Sequence, residues 1–435
     1  MSDPGMWPLL LLAVPCLGAL VSAVAWSTPR EPKTLLLATS LACIMAVGLL
    51  AGVLGAAPPG LPLLCLLPFA AFASLLGQPL YLPHRTAWTL SVVILGLCLT
   101  SIALTGRLQW LALVVLFLVL LVTLARGRLP GTTQPTWGLA TYGVGAVAAA
   151  VAATAAAPVS IAAGLLAACA LIPLFPLHAG HVAGLMRLPG NLPALLVTAL
   201  PAAGFAALLG VLPHLPEFAQ TLLGGTALLS MLYGSVRALS QSRPLSALAH
   251  ASLALYSILW WFVAVTGTLS SSGTVFLVAI GLVTGGLTLG WQAVHARFGD
   301  LDIRALGGLV HPMPRFAVLY SLLALAALGL PPFGLFSGFM GLLLSPDFYL
   351  PISSILVVLT WLTASWYHLD LMRRLLFGPP RPELRAEDVR EPELAALTII
   401  LVLLVLLGTL PSRWFDSGRA ARPALPVLET TQWHP

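Results

Sequence analysis

The chain has 435 residues, of which 59% are hydrophobic and 8% are charged, and its mean hydropathy is +0.99. Soluble domains average about 25% charged residues, so the composition excludes a soluble protein and predicts one that lies largely within a membrane. The formal net charge of +6 does not indicate nucleic-acid binding, because the basic residues are spread over many predicted loops.

In chain order, fourteen stretches are apolar and long enough to be membrane spans, which need about 20 residues each. They lie near residues 8–26, 34–56, 61–77, 87–105, 108–125, 137–156, 159–176, 192–212, 219–239, 244–266, 273–295, 315–345, 351–371 and 394–411. The first stretch lacks the basic start and small-residue cleavage site of a signal peptide, so we expect a spanning helix. The predicted fold class is an all-α polytopic membrane protein, one integral membrane domain over residues 1–435 with about 14 transmembrane helices.

The basic residues alternate between the predicted loops. Odd-numbered loops hold 16 lysines and arginines, including Lys33 and Arg187, whereas even-numbered loops hold only Arg107. Loops rich in Lys and Arg tend to stay in the cytosol, so we expect a bacterial inner-membrane protein with both termini in the periplasm. The same reasoning predicts a cytosolic loop at 372–393 and a periplasmic tail at 412–435. Asp370 precedes Arg373 and Arg374 at helix spacing, which predicts local ion pairs.

Two spans are interrupted by proline, which removes a helix hydrogen bond and costs roughly 3 kcal/mol in a helix interior. The stretch LIPLFPLHAGH (171–181) contains Pro173 and Pro176, and the stretch LGLPPFG contains Pro331 and Pro332. One broken helix in each half of a chain is typical of inverted-repeat transporters. We therefore predict two inverted five-helix repeats, at 87–212 and 219–371, each with a Pro-broken helix.

Three stretches resemble one family. The run FPLHAG (175–180) resembles a FPLH-x-W segment, and RPLSALAHASLALYSIL (243–259) resembles a K-R-L-L-A-Y-S-S-I-x-H-x-G pattern. The run DIRALGGLVHPMPRFAVLYSLLALAALGLPPFGLFSGF (302–339) resembles the more specific signature D-x-x-x-x-G-G-L-x-x-x-M-P followed by A-L-x-G-L-P-P. The chain thus resembles the antiporter-like membrane subunits of respiratory complex I (NADH–quinone oxidoreductase) and Mrp-type sodium/proton antiporters. The same fold serves membrane-bound hydrogenases and inorganic-carbon uptake complexes.

The resemblance implies a row of buried lysines, a histidine and a glutamate that carries protons, and this sequence departs from that row. Leu171 occupies the position where the family has its seventh-helix lysine, and Ala202 or its neighbour Pro201 occupies that of the eighth-helix lysine. Phe339 occupies the position of the twelfth-helix lysine or glutamate. No Asp or Glu occurs between Glu31 and Glu217, so the fifth-helix glutamate is missing too. We therefore expect the proton pathway of this chain to be degenerate.

Two histidines are candidate remnants of a proton path. His178 matches the family motif and is interpreted either as a proton-access group or as a helix-end side chain that bonds carbonyls freed by the prolines. His250 has Ser246, Ser252 and Tyr256 as possible partners, and it could be a relay or a bridge between helices. His181 is expected to be solvated. No catalytic motif or metal-ligand spacing occurs, and we expect neither a cofactor nor a metal.

These observations leave two hypotheses open. The first is an antiporter-like membrane subunit of a multi-subunit energy-converting complex that couples proton or cation translocation to NADH–quinone oxidoreductase-type chemistry. The alternative is a non-conducting structural or partner-anchoring subunit, for example of an inorganic-carbon uptake pump or a membrane hydrogenase. The expected partners are other membrane subunits, a soluble or peripheral subunit on the cytosolic face, and lipid, but not nucleic acid.

Overall fold

A computed structural model describes residues 7–24, 31–54, 61–78, 85–126, 137–268, 270–299, 307–345, 351–378 and 387–410. The secondary structure in these ranges is helical and includes no strand. The predicted tail at 412–435 and the middle of the predicted loop at 372–393 lie outside the described residues.

Sixteen α-helices are present in the described ranges. They are α1 (Trp7–Val24), α2 (Glu31–Leu54), α3 (Leu61–Gly77), α4 (Arg85–Ala103), α5 (Gly106–Arg126), α6 (Trp137–Thr154), α7 (Val159–Leu171), α8 (Ala179–Arg187), α9 (Leu192–Val211), α10 (Glu217–Ser240), α11 (Pro244–Thr266), α12 (Ser271–Phe298), α13 (Pro314–Ala327), α14 (Gly334–Leu343), α15 (Ser354–Leu376) and α16 (Glu391–Thr409).

The helices follow the predicted spans closely. Thirteen predicted spans correspond to one helix each, including 159–176 to α7, and the span 315–345 corresponds to the pair α13–α14. Helix α8 lies beyond the predicted span 159–176 and was not predicted. Within the described ranges, nine helices are at least 18 residues long and apolar enough to cross a membrane, and further apolar helices are shorter. The predicted all-α polytopic fold is confirmed, whereas the number of fourteen spans remains a prediction.

The helices of the two predicted repeats pack in matching pairs. In the first predicted repeat, α9 contacts α4, α5 and α7. In the second, α15 contacts the corresponding helices α10, α11 and α13. Helix α6 contacts both α7 and α8, just as α12 contacts both α13 and α14. The two repeats and the inverted relation between them remain predictions.

The centre of the bundle is built from α9, α11 and α12, which are buried along almost their whole length. Helices α9 and α12 meet at two glycines of α12, Gly281 and Gly285. A Cβ added at Gly281 would lie 3.0 Å from Thr198 Cα, and one at Gly285 would lie 3.1 Å from the Ala194 carbonyl oxygen. These glycines therefore let the two halves touch almost backbone to backbone.

Many of the basic side chains lie at one end of the bundle, here called the basic end. Its arginines include Arg237, Arg243, Arg297, Arg315, Arg373, Arg374 and Arg390. The predicted local ion pairs of Asp370 are confirmed, because its carboxylate lies 2.6 Å from Arg374 Nε and 3.2 Å from Arg373 Nη2.

A buried ion pair joins α12 to α16 at the basic end. Arg297 Nη2 lies 2.6 Å from Glu393 Oε2, and Nη1 lies 3.2 Å from Oε1. The guanidinium also donates to the carbonyls of Ala293, Glu387 and Asp388 at 2.8–3.0 Å. The Asp388 carboxylate in turn accepts the backbone N–H groups of residues 315 and 316, which are unpaired donors at the start of α13. Residues 387–393 therefore fasten α12, α13 and α16 together.

Two basic residues that we expected in loops are buried instead. Lys33 lies in the first turn of α2, is 7% exposed, and donates to the carbonyls of Leu76 and Gln78 at the end of α3. The last carbonyls of a helix have no partner within it and carry partial negative charge, which explains why a cation caps them. Arg187, the last residue of α8, is 1% exposed. The assignment of these two residues to loops was wrong.

Candidate functional site

The first proline break separates α7 from α8. Helix α7 ends at Leu171, the chain runs through Pro173 and Pro176 without regular structure, and α8 begins after His178. Side chains of neighbouring helices compensate the backbone groups that the break frees. Ser230 Oγ accepts the N–H of Phe175 at 3.2 Å, and Trp260 Nε1 donates to the carbonyl of residue 172 at 3.4 Å. Compensation of this kind is what allows a broken helix at membrane depth.

Four rings form a cluster at this break, here called the histidine cluster: Phe175, His178, Tyr233 and His250. The His178 ring stacks on Phe175 with centroids 5.7 Å apart and lies 4.9 Å from the Tyr233 ring. The centroids of Tyr233 and His250 are 6.0 Å apart, and those of His178 and His250 are 6.4 Å apart. The break thus brings together the two histidines that the sequence singled out, although no direct hydrogen bond joins them.

Hydrogen bonds fix the neighbouring imidazoles. His250 Nδ1 lies 2.8 Å from the Ser246 carbonyl oxygen, which can only accept, so Nδ1 carries the proton and a neutral ring keeps Nε2 as an acceptor. His181 Nε2 lies 2.8 Å from Ser252 Oγ, whose own proton goes to the Ala249 carbonyl. His181 is therefore the donor in that contact.

The expected surroundings of these histidines need correction in two respects. His250 bonds only the backbone of Ser246, while Ser252 serves His181 and the Tyr256 hydroxyl donates to the Val197 carbonyl at 3.1 Å. His181 is 6% exposed and packed between α8 and α11, so the expectation of a solvated side chain was wrong.

The second break holds an aromatic cluster where the family motif places an ionisable residue. Phe339 on α14 stacks on Trp361 of α15, with ring centroids 4.1 Å apart and planes 15° apart. The rings of Phe262 and Phe276 lie 6.3 and 6.0 Å from Phe339. Helix α14 can approach α12 this closely because position 338 is glycine, and a Cβ there would meet the Phe276 backbone nitrogen at 2.6 Å.

The other two positions where this sequence lacks the family's ionisable residue are also filled by packed apolar side chains. Leu171 is 2% exposed and Ala202 is 1% exposed. Leu171 occupies the space above Gly204 of α9, where an added Cβ would lie only 2.7 Å from the Leu171 Cβ. Among the described residues, the buried Lys, Arg and Glu side chains are those of Lys33, Arg187 and Glu393, none of which stands at a family position.

Tyr233 is the member of the site that sequence reasoning missed. It lies on α10, 55 residues after His178, and no motif marks it. Only the packing of α10 across the first break places its ring against both imidazoles. Across the described ranges, no group of three or more His, Cys, Asp or Glu is placed to hold a metal ion.

Comparison with known families agrees with this architecture. Residues 147–366, about half of the chain, match the family described as NADH:quinone oxidoreductase/Mrp antiporter, transmembrane. The match begins in α6 and ends in α15, so it includes both breaks, the histidine cluster and the aromatic cluster.

Curated relatives match over a similar region. The chain is 30% identical over 206 residues to F(420)H(2) dehydrogenase subunit M of Methanosarcina mazei, covering 46% of this chain and 41% of that protein. It is 27% identical over 198 residues to NADH-quinone oxidoreductase subunit M of Escherichia coli K12, covering 45% and 39%. The alignments thus span about two fifths of the length of these relatives.

Solved structures share the fold over nearly the whole chain. A chain of respiratory complex I from Thermus thermophilus with bound NADH superposes with a TM-score of 0.75 and 20% identity, covering 95% of this chain and 97% of that one. A chain of the archaeal membrane-bound sulfane sulfur reductase gives a TM-score of 0.81 at 15% identity, covering 93% and 76%. A chain of the Mrp complex from Dietzia sp. gives 0.74 at 14%, covering 96% and 97%.

Proposed function

Because this chain belongs to the NADH:quinone oxidoreductase/Mrp antiporter transmembrane family, we propose that it is an antiporter-like membrane subunit of a multi-subunit energy-converting complex whose own central proton pathway is closed. In this role it contributes helices and docking surfaces to the complex, while neighbouring subunits carry the ions. The relatives named above are a dehydrogenase subunit and an oxidoreductase subunit, and one of the structures that share the fold is an archaeal respiratory membrane complex, which supports a place within such a complex.

The observation that carries the proposal is the packing at the three positions where the family's ionisable residues are replaced, Leu171, Ala202 and Phe339. A proton crosses a protein interior through titratable side chains or water, and buried ionisable groups in membrane proteins usually mark such routes. Leu171 and Ala202 are buried aliphatic side chains, and Phe339 is held between aromatic rings. None of the three can accept or donate a proton.

A second candidate function is proton transfer through the histidine cluster, and one observation favours it. The ring centroids of His178, Tyr233 and His250 lie 4.9–6.4 Å from one another at the first break, where titratable rings of different helices approach each other. Imidazole titrates near neutral pH, which suits a relay. With ring centroids 6.4 Å apart the two rings do not bond directly, so this route needs an intervening water or movement of the Tyr233 side chain.

Proton flux distinguishes the two functions. The complex purified through this chain is reconstituted in vesicles, and driven proton uptake is compared for the wild type and the double variant His178→Ala plus His250→Ala. The proposal expects equal flux, with protein that still assembles with its partners. Flux that falls in the double variant, while Trp366→Ala on the exposed face of α15 leaves it unchanged, would overturn the closed pathway and establish the relay.

We further propose that the basic end faces the cytosol of a bacterial cell, with both termini in the periplasm and a peripheral subunit docked at the basic end. The asymmetry of the basic residues supports this orientation. Accessibility of single cysteines to a membrane-impermeant thiol reagent tests it. A cysteine at Arg373 is expected to be labelled from the cytosolic side, and labelling from the opposite side would refute the orientation.

A further inference from the structure

A groove runs along the outer side of α10 beside the first break. It encloses about 380 Å³ and is lined by Phe175, Leu229, Leu232, Tyr233, Val236 and Arg237. Its volume lies within the range of small-molecule sites, which is about 300–1,000 Å³. The leucines and the valine are more than half exposed, so the groove opens outward, where a membrane protein meets lipid.

The groove extends across most of the thickness of one membrane leaflet. At 1.5 Å of rise per residue, α10 is about 36 Å long, and the segment from Leu229 to Arg237 covers about 12 Å. A leaflet contributes about 15 Å of hydrocarbon, half of the usual 30 Å core. Arg237 is three residues from the end of α10, which places it near the headgroups, with Leu229 near the middle of the bilayer.

A cationic side chain, Arg237, lies at the end of the groove that is nearer the membrane surface. Arg237 is exposed, and the ion pairs between described residues involve Arg297, Arg315, Arg373 and Arg374 but not Arg237. None of the side chains that line the groove with Arg237 carries a negative charge. The complementary ligand is therefore an apolar chain with an anionic group at one end.

We propose that this groove binds one anionic phospholipid, with an acyl chain against Leu229, Leu232 and Val236 and the phosphate at Arg237. A basic side chain at the membrane surface attracts anionic lipid by about 1 kcal/mol. A helix of another subunit would need an acidic side chain at this depth to pair with Arg237, and acidic residues are rare within membrane spans.

Phe175 and Tyr233 line both the groove and the histidine cluster. The bound acyl chain therefore covers the outer side of the first break, where the irregular backbone would otherwise face other lipid molecules. The proposal does not depend on whether the chain conducts protons, because it rests on the shape and charge of the outer surface.

Native mass spectrometry of the full-length protein tests the proposal. Protein is extracted from vesicles of equal phosphatidylglycerol and phosphatidylcholine, and the lipids that remain bound are counted. The wild type is expected to retain one phosphatidylglycerol in preference to phosphatidylcholine. Arg237→Gln keeps a polar side chain, removes the charge, and is expected to weaken that preference about fivefold, the usual effect of one basic residue near anionic lipid.

Two further variants separate the site from general effects. Arg243→Gln removes an exposed arginine at the same end of the bundle that does not line the groove, and it is expected to retain lipid as the wild type does. Val236→Trp fills the groove without changing the charge, and it is expected to lose the bound lipid. Equal retention in the wild type and Arg237→Gln, equal loss in both arginine variants, or lipid still bound to Val236→Trp would each overturn the proposal.

Discussion

Replacing Glu393 by Gln tests whether the buried ion pair holds the basic end together. The Arg297 and Glu393 side chains are only 12% and 9% exposed, so little water replaces the carboxylate when it is neutralised. Removing one partner of a buried pair typically costs about 3–5 kcal/mol because the other charge is stranded. Arg297 keeps carbonyl acceptors at Ala293, Glu387 and Asp388, which offset part of that cost. We therefore expect a loss of about 2–3 kcal/mol in the free energy of unfolding.

The matched control is Glu391→Gln, two residues earlier on the same helix. Glu391 pairs with Arg315 at 3.0 Å, but these side chains are 80% and 62% exposed. An exposed pair contributes about 0–1 kcal/mol, so this variant is expected to unfold almost as the wild type does. Thermal unfolding in detergent can be followed with a thiol-reactive dye, since Cys43, Cys98 and Cys169 are buried and react only on unfolding. Equal unfolding temperatures for the two variants would refute the reasoning.

Two further predictions concern packing at the second break and use the same unfolding assay. Gly338→Ala is expected to destabilise the protein by about 1–3 kcal/mol, since its Cβ would overlap the Phe276 backbone, whereas Gly225→Ala, which meets nothing within 4 Å, is expected to be neutral or stabilising. A Gly338→Ala variant as stable as Gly225→Ala would show that α14 moves away without cost. Phe339→Ala is expected to lose about 3–5 kcal/mol by opening a cavity in the aromatic cluster, and Trp366→Ala, 63% exposed, at most about 0.5 kcal/mol. Similar losses for both aromatic variants would contradict the assigned role of burial.

The order and type of the helices were predictable from the sequence because apolar length and proline position act locally. The run 137–156 contains enough apolar residues for a span, and α6 is found over Trp137–Thr154. The second part of the first broken helix, α8, lies outside the predicted spans, whereas α14 lies within the predicted span 315–345. Helix α8 contains two glycines and a histidine within nine residues, so its apolar pattern is short and its existence depends on packing against α6, α9 and α11.

The site was predictable only where a motif marked it. The FPLH run identified His178, and a polar position in an apolar span identified His250, but Tyr233 joins them only through the packing of α10. The burial of Lys33 and Arg187 was missed for a related reason. Loop assignment by hydropathy treats every charge as solvated, whereas Lys33 is stabilised by carbonyls at the end of another helix that lies 43 residues away in sequence.

The close contact between α9 and α12 has a mechanical consequence. Where Gly281 and Gly285 lie against Thr198 and Ala194, no layer of flexible side chains separates the two halves of the molecule. Side chains between helices can change rotamer and let surfaces slide, but backbone atoms in contact cannot yield without separating. We therefore expect this crossing to act as a fixed pivot. Any displacement passed on from a neighbouring subunit would be taken up by the outer helices rather than by shear along the axis of the bundle.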